Sequence, residues 1–154
     1  MLLVMFAFAL QARNDPKSEN ANYVKSGDKI YFCQKVKAGV FCANIVLEDG
    51  ITMKIPFRKV DAYSCNGRLF ERLPVVCEGA PANCTALMEY ITSRNGLRLY
   101  KYCKIVECGD LVNNTYEKPH LESVFFVFQD GEFYLKVDQK NAPTVLPFFG
   151  IKVL

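Results

Sequence analysis

The sequence predicts an all-β domain, and turn chemistry and strand periodicity carry that prediction. Asn-Gly or Asp-Gly dipeptides occur four times, each between segments rich in apolar or β-branched residues. A two-residue type I′ turn requires positive φ at both central residues, which Asn, Asp and Gly adopt at the lowest cost. The flanking segments alternate apolar and polar residues, which is the period of a half-buried strand. Hairpin turns are therefore predicted at Asp49-Gly50, Asn66-Gly67, Asn95-Gly96 and Asp130-Gly131.

The strands predicted around these turns are rich in Ile, Val, Phe and Tyr, which strands favour. They comprise residues 29–37, 41–47, 51–57, 97–106, 124–128 and 133–137. Residues 145–154 predict an apolar terminal strand, interrupted by Pro147 and Gly150. One helix is predicted, over residues 85–93, with Asn83 or Thr85 as its N-cap.

Two architectures fit a chain of short hairpins. The first is a β-trefoil-like barrel of hairpins. The second is a disulfide-bonded β-sandwich of immunoglobulin-like type. The chain contains no Trp, which argues against an ordinary immunoglobulin domain, because the core of that domain usually packs a Trp against its inter-sheet disulfide.

The chain length of 154 residues is enough for one domain with a substantial core. Residues 1–12 form an apolar run that ends in a small residue, which is typical of a secretory signal peptide. This run is too short to span a bilayer, and a buried first strand of a cytosolic domain is the alternative. Residues 13–26 are predicted to be a mobile N-terminal arm, and residues 27–154 a single all-β domain.

Seven cysteines follow the apolar leader. An odd number predicts three intrachain disulfides and one thiol that stays unpaired or joins a second chain in a homodimer. Such frameworks persist in oxidising compartments, so the pattern predicts a secreted, extracellular protein. Cys65 is the candidate for the unpaired or intermolecular thiol because it adjoins a predicted hairpin tip, and Cys84 is the alternative. The predicted framework comprises Cys33, Cys42, Cys65, Cys77, Cys84, Cys103 and Cys108.

Two sequons for N-glycosylation agree with secretion. Asn113 and Asn83 each stand two residues before a Thr. The middle residue of the second sequon is Cys84, and rapid disulfide formation there would block the glycan. Asn113 is therefore the better acceptor.

The sequence predicts no catalytic residue, no metal site and no cofactor. His120 is the single histidine and stands in a polar connection, where an exposed loop histidine is expected. The cysteine spacings include no close C-x2-C pair that would grip a zinc ion from one turn. The net charge of +3 is spread along the chain, whereas a nucleic-acid footprint needs a denser basic stripe. We therefore expect neither an enzyme nor a nucleic-acid-binding protein.

Aromatic residues are abundant, with 12 Phe and 8 Tyr. Tyr and Arg carry much of the binding energy at protein interfaces. Arg98, Tyr100 and Tyr102 alternate along one predicted strand and so predict an exposed contact stripe on one face of it. A buried face with polar tips at its rim is the alternative.

The order of these segments resembles that of the fibroblast growth factors. Both have an early strand with a basic residue, a Tyr and a Cys, then a turn Gly and an Asp-Gly hairpin. Both continue with a Tyr, a turn Gly, a Leu-Tyr pair, a Glu-Cys pair, an Asn-Thr-Tyr triplet and an aromatic hairpin. The matching positions are residues 29–33, Gly39, Asp49-Gly50, Tyr90, Gly96, Leu99-Tyr100, Glu107-Cys108, Asn114-Thr115-Tyr116 and Gly131.

The resemblance implies a β-trefoil fold and a secreted ligand of a receptor tyrosine kinase. Matched by motif, the residues that contact the receptor would be Tyr31, Asn114 and Tyr116. Residues 56–83 do not match the family pattern, and several of the cysteines have no counterpart in it.

The family binds heparan sulfate through a dense basic loop after the last turn Gly. The corresponding residues 132–141 contain only Lys136 and Lys140 as basic residues. We therefore expect weak or no glycosaminoglycan binding.

The sequence thus predicts a secreted, disulfide-bonded binding protein without catalytic activity. Its expected role is that of an extracellular signalling ligand, similar to a growth factor, that engages a cell-surface receptor. The alternative is a secreted β-sandwich that captures a host or partner protein or modulates immunity, as a disulfide-linked homodimer.

Overall fold

The computed structural model describes residues 21–39, 41–77, 80–106, 109–110, 115–116 and 120–152. These residues form strands, one 3-10 turn (Phe57–Lys59) and one helix, α1 (Ala142–Phe148). The strands are β1 (Asn22–Ser26), β2 (Lys29–Ala38), β3 (Cys42–Leu47), β4 (Thr52–Pro56), β5 (Ala62–Cys65), β6 (Arg68–Cys77), β7 (Ala80–Arg94), β8 (Leu97–Val106), β9 (Gly109–Asp110), β10 (Thr115–Tyr116), β11 (His120–Gln129) and β12 (Glu132–Val137).

Ten of these strands form one sheet, in the order β12, β11, β8, β7, β6, β5, β1, β2, β3, β4. Neighbouring strands are antiparallel throughout, and β9 pairs separately with β10. The all-β prediction is confirmed. The sheet is open, because within the described ranges β4 and β12 each have a single neighbour. Neither the trefoil nor the sandwich is confirmed.

All four Asn-Gly and Asp-Gly dipeptides lie at hairpin turns, as predicted. In three of them both residues have positive φ, with the first near 52–53°. The Asp49-Gly50 turn differs, because only its glycine has positive φ, at 84°. There the Asp49 carboxylate accepts a hydrogen bond from the Ile51 amide at 3.0 Å, a side-chain interaction that is typical of Asx turns.

Two local predictions were wrong. Residues 85–93, predicted as a helix, lie inside β7, because pairing with β6 and β8 on both sides overrides a weak helical preference. Residues 145–154 were predicted as a strand, but residues 145–148 of this segment lie in α1, and residues 153–154 lie outside the described residues. Pro143 lies in the first turn of that helix, where its fixed φ suits helix initiation, and Phe149 packs beneath the helix against the sheet.

The first described strand lies inside the segment that the sequence assigned to a mobile arm. β1 comprises the last five residues of the predicted arm 13–26 and lies between β2 and β5. Its Val24 side chain is fully buried. Residues 22–26 of the predicted arm therefore belong to the sheet, and residues 1–20, with the predicted signal peptide, lie outside the described residues.

Both sides of the sheet carry buried cores. We call face A the side that carries Val24, Tyr63 and Phe70, which follow one another across β1, β5 and β6; face B is the opposite side. The first core lies on face A of β1 to β5 and reaches the 3-10 turn. Tyr63 and Phe70 stack there with ring centres 4.5 Å apart.

The second core lies on face B of β6, β7, β8 and β11. Its largest fully buried side chains are Tyr100, Phe126 and Phe128. β12 contacts β6 on this side, so the second half of the sheet curls around face B. A third cluster on face A, which includes Leu99 and Val127, lies under α1.

Arg72 ties the 3-10 turn to β6 and so closes the first core. Its guanidinium donates hydrogen bonds to the carbonyls of Phe57 and Val60, the latter at 2.7 Å, and to the Thr85 hydroxyl at 3.2 Å. Hydrogen bonds from charged groups are stronger than neutral ones. We expect the 3-10 turn to depend on this one side chain.

Arg72→Met should lower the free energy of unfolding by about 1–3 kcal/mol, because it removes the Arg72 donor from the Val60 carbonyl and one of the two donors of the Phe57 carbonyl, which keeps its hydrogen bond from the Val60 amide. Urea denaturation measures this loss. Arg58→Met, in the exposed part of the same turn, is the matched control and should change stability by less than about 0.5 kcal/mol. Equal effects of the two substitutions would contradict the role of Arg72 in holding the 3-10 turn to β6.

Candidate functional site

Face B of β1, β2 and β4 is exposed and carries lysines beside large apolar side chains. Because face A of these strands is buried in the first core, alternate residues point to solvent. We call this surface the basic face. It comprises Lys25, Ile30, Phe32, Lys35, Lys37 and Lys54.

The strand register brings the lysines of the basic face together. Lys37 on β2 and Lys54 on β4 both pair with Asn44 on β3, so the three residues form one row across the sheet. Lys35 lies in the next row, opposite Val46. Neighbouring strands lie about 4.8 Å apart, so these ammonium groups share one small region of positive potential.

No acidic residue neutralises this charge within the described part of the chain. The ion pairs found there are Arg68–Glu89, Arg98–Glu71 and Lys104–Glu122, and none involves the basic face. The lysines of the basic face therefore have no ion-pair partner among the described residues.

Ile30 and Phe32 lie on the same face and are about half exposed, at 53% and 54%. Phe32 pairs with Tyr23, and Ile30 pairs with Lys25. Single exposed apolar residues are common, but here two lie next to each other among lysines. Protein–protein interfaces usually combine an apolar centre with a polar rim.

Farther along face B, a polar cluster joins β6 to β8. The Tyr100 hydroxyl donates a hydrogen bond to the Glu71 carboxylate, and Arg98 donates to the Tyr100 hydroxyl at 3.0 Å and to Glu71 at 3.2 Å. The Arg98 guanidinium also lies over the Tyr90 ring, 5.4 Å from its centre. This cluster holds together three strands of the second core.

The exposed Arg98–Tyr100–Tyr102 stripe predicted from the sequence was wrong for Tyr100. Only 1% of Tyr100 is exposed, and Tyr102 is partly buried. The alternative of a buried face with polar tips describes β8, because the curl of the sheet turns this face inward. Burial and the hydrogen bond to Glu71 raise the pKa of the Tyr100 hydroxyl well above its ordinary value.

The described part of the structure does not place the three expected receptor-contact residues at one site. Tyr31 lies on face A and packs against the first core. Asn114 and the glycosylation candidate Asn113 lie outside the described residues, and Tyr116 is described as a backbone position in β10. Asn83, the second glycosylation candidate, is a backbone position in β7.

The described thiols do not support the three-disulfide framework, which stays a prediction. Cys33, Cys42, Cys65, Cys84 and Cys103 are all unpaired and lie on five different strands. Cys77 is a backbone position in β6, and Cys108 lies outside the described residues. At most two of three bridges could use these last two residues, so one bridge would have to join two of the five.

The thiols differ in their access to solvent. Cys65, the candidate for an intermolecular bridge, is partly buried, and its thiol donates to the Val36 carbonyl at 3.3 Å. Cys84 and Cys103 are exposed and more accessible to a second chain. Cys33 is buried, and burial raises the pKa of its thiol.

Three further features bear on catalysis, metal binding and membrane insertion. His120 is exposed and begins β11 rather than lying in a loop. In the part of the chain that the structure describes, no cluster of three His, Cys, Asp or Glu side chains is placed to hold a metal ion. The one helix there, α1, has seven residues, and no described helix is long and apolar enough to cross a membrane.

Comparison with known proteins assigns no relative. No family model matches the chain, and neither a curated protein nor a solved structure matches it. The fibroblast growth factor resemblance stays a prediction from the sequence.

Alkylation of the folded protein without reductant should label Cys84 and Cys103 before Cys33. The first two thiols are exposed, whereas burial both shields Cys33 and disfavours its thiolate. Peptide mass spectrometry after timed iodoacetamide treatment measures the order. Cys84 and Cys103 that label only after reduction would contradict the unpaired arrangement and support the disulfide framework.

Stability should fall as the pH rises above about 10, the ordinary pKa of Tyr. Because the folded state keeps Tyr100 protonated above that pH and the unfolded chain does not, the stabilisation is complete below pH 10 and is lost at higher pH. The loss from this group should reach at most about 1.4 kcal/mol per pH unit.

Urea denaturation between about pH 9 and pH 11 tests this titration. Tyr100→Phe should flatten the decline relative to the unmodified protein. Tyr134→Phe, which removes an exposed hydroxyl, is the matched control and should leave the decline unchanged. An identical decline in all three proteins would show that Tyr100 does not carry it.

Proposed function

We propose that this protein is a non-catalytic, extracellular binding protein that engages a cell-surface receptor through the basic face. The observation that carries the proposal is a set of lysines, without ion-pair partners among the described residues, on the same sheet face as the exposed Ile30 and Phe32. Such a surface is complementary to an acidic patch with an apolar centre on a partner protein.

A protein partner fits the basic face better than a linear polyanion. Affinity for nucleic acid or heparan sulfate depends mainly on the number of phosphate or sulfate groups that basic side chains neutralise. The basic face has four lysines, and two of its six side chains are large and apolar. Buried aromatic side chains supply much of the energy at protein interfaces.

The extracellular setting of the proposal rests on the sequence. The apolar leader, the sequons and the order of motifs that resembles the fibroblast growth factors all support a secreted signalling ligand. That resemblance contributes the role and not the architecture, because the described sheet is open. Among the described thiols, Cys84 and Cys103 are the most accessible for a covalent dimer.

The proposal predicts saturable binding of the labelled protein to a panel of cell lines. Substituting Lys35, Lys37 and Lys54 together by Glu should weaken this binding at least about tenfold, because it reverses the charge of the basic face. A matched variant with Glu at three exposed lysines elsewhere, Lys59, Lys140 and Lys152, should bind normally.

Two treatments of the cells identify the partner class. Trypsin removes surface proteins and should abolish binding, whereas heparinase removes heparan sulfate and should leave it intact. Equal loss for both triple variants, or binding that survives trypsin and disappears with heparinase, would contradict a protein receptor for the basic face.

A further inference from the structure

A groove opens on face B of the second half of the sheet, away from the basic face. β6 and β12 approach each other there, and the space between them has a volume of 310 Å³. Its walls include Val75, Val76, Val124 and Phe126. Each of these four side chains is at most 8% exposed, so the walls are fixed by the second core.

Three residues with polar groups complete the lining of this groove: Tyr102, Lys104 and Lys136. Lys104 already forms an ion pair with Glu122 at 2.9 Å. Lys136 is exposed and forms no ion pair among the described residues, which makes it the available cation of the groove.

We propose that this groove binds a medium-chain carboxylate, an amphiphile with an apolar tail and one anionic head. The tail lies against the valines and Phe126, where it leaves water, and the carboxylate meets the Lys136 ammonium. Ligand sites are typically apolar with a few placed polar groups and start at about 300 Å³. The volume of 310 Å³ therefore suits a short chain rather than a large lipid.

The positive charge of Lys136 favours a carboxylate over a neutral ligand of the same length. An uncharged alcohol of the same length would bury the same tail but would leave Lys136 without a counter-ion. Lys136 lies on β12, far in strand order from the lysines on β1, β2 and β4. Binding at the groove and binding at the basic face can therefore be tested separately.

Octanoate and 1-octanol are the probes, titrated into isotopically labelled protein and followed by NMR. Octanoate should bind saturably and shift the amide signals of Val76, Val124 and Phe126, and 1-octanol should bind at least about fivefold more weakly. Lys136→Gln should weaken octanoate binding by a similar factor. Lys140→Gln, an exposed lysine outside the groove, should have no effect.

Val124→Phe provides a second variant, which fills the groove and should abolish binding of both probes. Its unfolding midpoint shows whether it folds, and if it does not, the comparison of the two probes on Lys136→Gln still decides. Absence of saturable octanoate binding, shifts confined to other surfaces, or equal affinity for both probes regardless of Lys136 would overturn the proposal.

Discussion

The ladder between β6 and β7 is the constraint on which the rest of this structure depends. Adjacent residues of a strand point to opposite faces. On these two strands, the side chains of both faces pack into a core. Leu87 packs against the first core on face A, and its neighbour Met88 is fully buried in the second core on face B. The shared strands let one open sheet bury two cores, which a flat sheet with one solvated side does not do.

Along the strand order the buried side of the sheet changes from face A to face B, and this change determines which surfaces stay exposed for binding. Strands β1 to β4 bury face A, so the lysines and apolar residues of their face B form the exposed basic face. Strands β6, β7, β8 and β11 bury face B in the second core, and the groove beside Lys136 is the part of that curl left unfilled. The free edges are protected: Lys54 and Pro56 occupy β4, and a register shift interrupts the pairing of β12 with β11.

Local features such as turns could be predicted from the sequence, whereas features that depend on which strands pair could not. The turn dipeptides located four hairpins because positive φ is a property of those residues themselves. Residues 85–93 carry an ambiguous pattern, and only the strands on either side make them part of β7. Lys35 and Lys37 alternate visibly in the sequence, but Lys54 joins them only through the register with Asn44. Tyr100 was predicted to be exposed because a sequence does not show which face of β8 curls inward.

The claim that β7 separates two cores can be tested by truncating its two adjacent residues, singly and together, and measuring urea unfolding. Leu87→Ala and Met88→Ala should each lower the free energy of unfolding by at least about 1.5 kcal/mol, because each opens a cavity in a different core. The double variant should lose more stability than either single variant, since the two side chains pack in different cores. A negligible effect of either single substitution would contradict the two-core sheet.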